Sequence, residues 1–348
     1  MWLSVFLGLG LVGSLVALGL VSFAQLPFSE SFSHGVHHGS DLHEDVVRDG
    51  DHGDRIAVID IEGVISGQYI ESIGRTLVDL VRDQLDRAEH DEVKAVLLKV
   101  DSPGGEVLAS DEIYLLIQEF QKRNPDVPVV ASMGSLAASG GYYVSAPCRW
   151  IVANELTMTG SIGVIFHSYN YRGLMDKVGV RPDITKSGKL KDMMSGEKLP
   201  EEVLPEERRI MQNLIDESFA KFKSVVREGR RAAADRNRKD KVDEGRELVT
   251  NWQEYADGRI LSGTEAQKIG LVDEIGNFDV AVERAESLAG IEEGSAKLVR
   301  YLPPMRFPGL FSLFSRTEAR PVKVDLGLPF QTTLPQGRLY FISPLHLH

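Results

Sequence analysis

From Arg55 onward, short apolar runs alternate with longer segments whose apolar residues recur every three to four positions, and this alternation leaves few folds open. Residues 56–61, 93–100, 127–132 and 150–153 read as strands; residues 69–88 and 106–121 read as helices. Strands joined through helices run parallel, with both sheet faces covered, so residues 55–298 are expected to form an α/β domain. In such a domain, ligands bind at the strand-to-helix turns. Two of these turns are glycine-rich. Asp101-Ser102-Pro103-Gly104-Gly105 closes one strand, and Ala137-Ala138-Ser139-Gly140-Gly141 follows another. Paired glycines let backbone N–H groups approach a ligand with no Cβ in the way, and the second pair follows a serine.

The chain's start constrains it differently. No charge occurs from Trp2 to Ala24, and about 20 such residues in a helix cross the hydrocarbon layer of a bilayer. Residues 1–25 are therefore expected to be a single transmembrane anchor. A cleaved signal peptide is the competing reading, because Ser22 and Ala24 are small, but the apolar run is longer than a usual signal core and no basic residue precedes it. The first basic residue is Arg48, so charge does not orient the segment. Residues 26–54, rich in Ser, Gly, His and Asp, read as a flexible linker. Their histidines complete no metal-ligand spacing, and no metal or other cofactor is expected.

The net charge of −12, from 39 basic and 51 acidic residues, argues against a general nucleic-acid binder. The only cysteine, Cys148, excludes an internal disulfide and is expected to fill core. Residues 201–238 read as a long charged helix with a solvated face. Residues 299–348 read as an irregular tail, with a short apolar stretch at 307–314 that cannot span a bilayer.

Acyl transfer by Ser139 requires a base. Of nine histidines, five lie in the linker and two in the last three residues, leaving His90, which reads as solvent-facing, and His167. No Gly-x-Ser-x-Gly elbow occurs either. A neutral lysine can serve instead, and Lys186-Ser187-Gly188-Lys189-Leu190-Lys191-Asp192 supplies three candidates among which the residues alone do not choose. Ser218-Phe219-Ala220-Lys221 has the Ser-x-x-Lys form of penicillin-recognising enzymes, but its companion motifs precede it in the wrong order and it sits in a charged helix.

Taken together, the residues resemble the short form of bacterial and archaeal signal peptide peptidase A, a relative in fold of the Clp protease and crotonase group. The resemblance spans residues 55–288 through five motifs: residues 101–105; 133–143; Thr159-Gly160-Ser161-Ile162-Gly163-Val164; Lys186-Ser187-Gly188 with Lys191-Asp192; and 262–266 with 270–273. It implies a fold of repeated strand-strand-helix units and a serine endopeptidase with a Ser/Lys dyad. It further implies Ser139 as nucleophile, Lys191 as general base, Ser161 orienting the lysine amine, and N–H groups of Gly140 with Gly104 or Gly105 as oxyanion hole. The last motif looks structural.

Further implications concern partners. Substrates would be extended peptides, signal-peptide remnants among them, and subunits would assemble into a homo-oligomeric ring or dome, an octamer being one such form, with Ser139 of one protomer completed by Lys191 of its neighbour. The catalytic domain would lie outside the cytoplasm, on a single-pass protein of the cell membrane. Two alternatives share the fold: a crotonase-like acyl-CoA enzyme, and a membrane-tethered scaffold without catalysis.

Overall fold

The computed structural model describes residues 41–304, apart from 52, 243 and 244, and residues 338–343. The expected anchor, most of the linker and the 307–314 stretch lie outside the described residues. Among the described residues, no helix is long and apolar enough to cross a membrane.

In chain order the first elements are β1 (His43–Arg48), β2 (Arg55–Glu62), α1 (Leu77–His90), β3 (Ala95–Ser102), β4 (Gly104–Glu106), α2 (Val107–Arg123) and β5 (Val129–Ala138). Next come α3 (Gly140–Ser145), β6 (Trp150–Ala153), β7 (Met158–Gly160), β8 (Ile165–Phe166), α4 (Arg172–Lys177) and α5 (Pro205–Lys239). The chain continues through β9 (Ile260–Ser262), α6 (Gly263–Lys268), β10 (Glu274–Ile275), α7 (Phe278–Ala289), β11 (Lys297–Leu302) and β12 (Leu339–Ile342).

The fold is a mixed α/β arrangement. Its nine-stranded sheet runs β1-β11-β2-β3-β5-β6-β10, with β7 against β5 and β9 against β7. Strands β11, β2, β3, β5, β6 and β10 pair in parallel, as the strand–helix alternation requires. Both faces are covered. Ala57, Ile59, Val96, Leu98 and Ala131 point into one apolar core with residues of α1, α2 and α3; Ile56, Val58, Leu97 and Val130 point into another with Ala281, Val282 and Ala285 of α7. Cys148 is fully buried and burial pushes its thiol up to about 12, which suits a packing role.

Three boundaries differ from expectation. Helix α1 starts at Leu77 because Thr76 and Asp79 form a capping box, each side chain bonding the other's backbone N–H. The expected linker ends early, since residues 43–48 form β1, an antiparallel edge strand on β11. The expected irregular tail contributes β11 to the main sheet, and its β12 forms the middle of a second, three-stranded sheet, β4-β12-β8.

The Gly270-Leu271-Val272-Asp273 motif is structural. Asp273, 2% exposed, accepts from the Ile151 amide at 2.8 Å, the Arg246 amide at 3.1 Å and the Arg230 guanidinium at 2.5 Å, tying α5 and β6 together. Ser262 caps α6 through a capping box with Glu265.

Candidate active site

Strand β5 extends past the predicted residue 132 to Ala138 and delivers Ser139 to the N-terminus of α3. Ser139 has φ +54° and ψ −115°, a conformation a side chain adopts only under strain of about 1–3 kcal/mol. Its neighbours hold it there: its amide donates to the Gly160 carbonyl at 2.8 Å, and its carbonyl accepts from the Tyr143 amide at 2.8 Å. The twin tyrosines fix α3 from two sides. Tyr142 hydroxyl donates to the Leu271 carbonyl at 2.8 Å, and Tyr143 hydroxyl donates to Asp111 at 2.6 Å. Burial pushes both phenols far above their ordinary range, so they are neutral donors at any working pH.

The Ser139 hydroxyl is buried and has no hydrogen-bond partner among the described residues. A buried polar group left unpaired costs about 1–3 kcal/mol, and functional sites are where such costs persist.

Gly140 meets the first glycine turn. A Cβ added to Gly140 would lie 3.0 Å from Gly104 Cα and 3.0 Å from the Gly105 nitrogen. Gly104, at φ +98°, has its own amide turned to Ser102 Oγ at 3.1 Å. The three predicted glycines therefore meet beside Ser139, and with the Gly104 amide turned to Ser102, the Gly105 amide is the one placed to pair with Gly140 as an anion-binding couple.

Ser161 lies on the same side. Strand β7 pairs with the end of β5, with Gly160 opposite Ala138, and Ser161 follows it at φ +49°, 3% exposed, its amide donating to the Arg259 carbonyl at 2.7 Å. Of the five non-glycine residues with positive φ among the described residues, two are thus the predicted catalytic serines.

The lysine loop is elsewhere. Lys186 pairs with Asp192 at 2.7 Å, and Lys189 with Glu206 at 3.0 Å. Lys191 is exposed and forms no ion pair among the described residues. The loop is pinned to the first turn of α5, where Glu207 accepts from the Met194 amide at 2.9 Å and from Lys198 at 2.6 Å. Ser139's helix touches α5 at Phe222, whose ring lies 4.9 Å from that of Tyr143. Fifteen residues of helix separate Glu207 from Phe222, roughly 22 Å of rise, so within one protomer the loop and the serine sit against distant parts of α5.

Sequence reasoning missed β12. Its Phe341 stacks on Tyr143 with ring centroids 4.8 Å apart at 23°, against the serine's own helix. The short apolar run Leu339-Tyr340-Phe341-Ile342 was its only signal.

The chain is similar to a known peptidase family. The model of peptidase family S49 matches residues 121–240 and 236–292. A provisionally named protease of Synechocystis is 37% identical over 244 residues, 70% of this chain and 78% of the relative. A provisionally named signal peptide peptidase SppA of Enterococcus faecium is 36% identical over 70% of this chain and 66% of its own length. Protease 4 of Haemophilus influenzae is 34% identical over 70% of this chain but only 36% of the relative, so the similarity spans about a third of that larger protein.

Proposed function

The chain belongs to peptidase family S49 and is a serine peptidase, and on that premise we propose that Ser139 is its nucleophile and Lys191 its general base. The observation that carries this reading is the Ser139 hydroxyl itself, buried, unpartnered and held at positive φ beside the Gly105 and Gly140 amides. Lys191 is favoured because its two rivals are engaged, Lys186 with Asp192 and Lys189 with Glu206, while Lys191 forms no ion pair among the described residues.

In this reading the neutral Lys191 amine, steadied by Ser161 Oγ, takes the Ser139 proton as the oxygen adds to the scissile carbonyl. The oxyanion is held by the Gly105 and Gly140 N–H groups, and the lysine returns the proton to the leaving amine. Water then hydrolyses the acyl-enzyme by the same route.

The dyad forms between protomers. The separation along α5 supports this, as do two exposed apolar patches: Tyr171, Leu174, Val178 and Val180 near the lysine loop, and Leu156 with Met158 beside β7 and Ser161. Two different patches on one chain suit a head-to-tail contact, which closes into a ring. The uncharged segment 2–24 anchors the protein in the cell membrane, with the peptidase domain outside the cytoplasm and peptides such as signal-peptide remnants as substrates. No observation favours an acyl-CoA substrate.

The test is covalent labelling of the full-length, detergent-solubilised protein with a serine-reactive phosphonate. An adduct on Ser139, lost in Ser139→Ala and strongly reduced in Lys191→Ala, is expected; full labelling and peptide cleavage in Lys191→Ala would overturn the dyad.

A further inference from the structure

Lys191 forms no ion pair among the described residues, so its place is set by the backbone of its loop. Two holds act on that loop. The first is α5. Glu207, fully buried, accepts from the Met194 amide and from Lys198, and Lys198 in turn reaches Asp192, the residue after Lys191, at 3.3 Å. A loop held at one point still pivots about it.

The second hold comes from another part of the fold. Residues 167–171 leave β8, which is paired to β12, and enter α4. On the way, the Tyr171 amide donates to the Gly196 carbonyl at 2.9 Å, and the Asn170 side-chain amide donates to the Lys198 carbonyl at 2.9 Å. Asn170 is itself fixed, because its Oδ1 accepts from the Arg172 amide at 3.2 Å. The approach is close: a Cβ on Gly196 would meet the Tyr169 carbonyl oxygen and come within 2.7 Å of Tyr171 Cε1. The two holds converge on Lys198, whose carbonyl is bonded by Asn170 and whose ammonium is bonded by Glu207. Between the lysine and that point, Met194 sits at φ +57°, a left-handed conformation that a residue with a side chain keeps only where its surroundings impose it.

We propose that Asn170 is a positioning residue for the reaction: by bonding the Lys198 carbonyl it ties the lysine loop to the sheet that contains β8, and so fixes where Lys191 presents its amine. The proposal rests on Lys191 being the general base. A misplacement of about 1 Å in a catalytic group costs about a hundredfold in rate, so one hydrogen bond away from the chemistry can govern kcat. Asn170 acts on the lysine of its own chain, and therefore on the site that this lysine completes in the neighbouring protomer.

The experiment uses the full-length, detergent-solubilised protein and a quenched signal-peptide-like substrate. Asn170→Asp keeps an oxygen for the Arg172 amide but has no N–H for the Lys198 carbonyl, whereas Asn170→Ala loses both bonds. Both should lower kcat about tenfold and leave KM unchanged. Gly196→Ala, which pushes the same two segments apart without touching Asn170, should give a similar fall and decides the matter if either Asn170 variant misfolds. Loss of activity in Asn170→Ala but not in Asn170→Asp would confine the residue to shaping the turn into α4 and overturn the proposal, as would an unchanged kcat in both or a change in KM alone.

A mixed assembly shows on which chain Asn170 acts. In oligomers of Ser139→Ala and Lys191→Ala chains, a working site pairs the serine of the second with the lysine of the first. Adding Asn170→Asp to the Ser139→Ala chain should lower the recovered activity about tenfold, and adding it to the Lys191→Ala chain should change it less than about twofold. The reverse pattern, or an equal fall in both, overturns the proposal. If the parent mixture recovers nothing, the dyad lies within one chain and the kcat comparison alone decides. Failure of the Lys191 reading looks different: Lys191→Ala would itself keep full kcat.

Discussion

Gly104 and Gly140 approach so closely that a Cβ on Gly104 would lie 2.6 Å from the Gly140 nitrogen, well inside van der Waals contact. At φ +98° the position is strained for any side chain as well. Gly104→Ala is therefore expected to push apart the two turns that supply the oxyanion donors. Losing one such donor costs about a hundred- to a thousandfold in kcat, and a fall of that order in peptide hydrolysis, with KM little changed, is the expected result. Steady-state kinetics of the purified variant check it.

The strain at Ser139 makes a second prediction that separates stability from activity. Ser139→Ala keeps the φ of +54° and a Cβ, whereas Ser139→Gly removes the conformational penalty. Both variants should be inactive, but the glycine variant should unfold at a higher denaturant concentration, by about 1–3 kcal/mol relative to alanine. Equal stabilities would mean that the backbone is relaxed there.

What was legible in the sequence follows from what leaves a local mark. Ser139 could be found because a glycine pair follows it, and the parallel strands because burial on both faces makes them continuously apolar. The residues 43–48 leave no such mark: in β1 their side chains are mostly exposed, and the strand is held by backbone pairing to β11 more than 240 positions later. Strand β12 is apolar enough to suspect, but its partners β4 and β8 are distant in sequence, and nothing in its residues names them. The lysine was the hardest. Lys186, Lys189 and Lys191 are chemically alike along the chain; the family resemblance singles out Lys191, and in the structure Asp192 and Glu206 engage the other two.

Two carboxylates, Asp192 and Glu207, give the lysine loop a pH dependence. The Lys186 hydrogen bond, reinforced by Lys198, holds the Asp192 carboxyl below its usual range; the Glu207 carboxyl, despite its burial, is likewise held low by Lys198 and by the Met194 and Leu204 amides. A depressed carboxyl pKa contributes stability above the unfolded value of about 4, and that contribution is lost as pH falls through the folded value. The loop should thus be firmly docked on α5 from neutral pH down to about pH 5 and loosen below about pH 4. Hydrogen exchange of residues 186–198, labelled at each stepped pH and corrected for the intrinsic exchange rate at that pH, reads this directly. In Asp192→Asn the loosening should already be present at neutral pH.

A final prediction tests whether serine and lysine meet across a subunit boundary. Lys186→Ala and Lys189→Ala should retain most hydrolysis, because each removes a surface ion pair worth less than about 1 kcal/mol, while Lys191→Ala should abolish it. Ser139→Ala and Lys191→Ala, each inactive alone, should then complement each other when dissociated and reassembled together. If every site takes its serine from one protomer and its lysine from the next, random mixing in a cyclic oligomer leaves roughly a quarter of sites with both residues intact. Recovery of about that fraction of activity is expected. No recovery, from a mixture shown by mass spectrometry to have exchanged subunits, would place both residues of the dyad in one chain and require the loop at 186–198 to travel along α5 to reach Ser139.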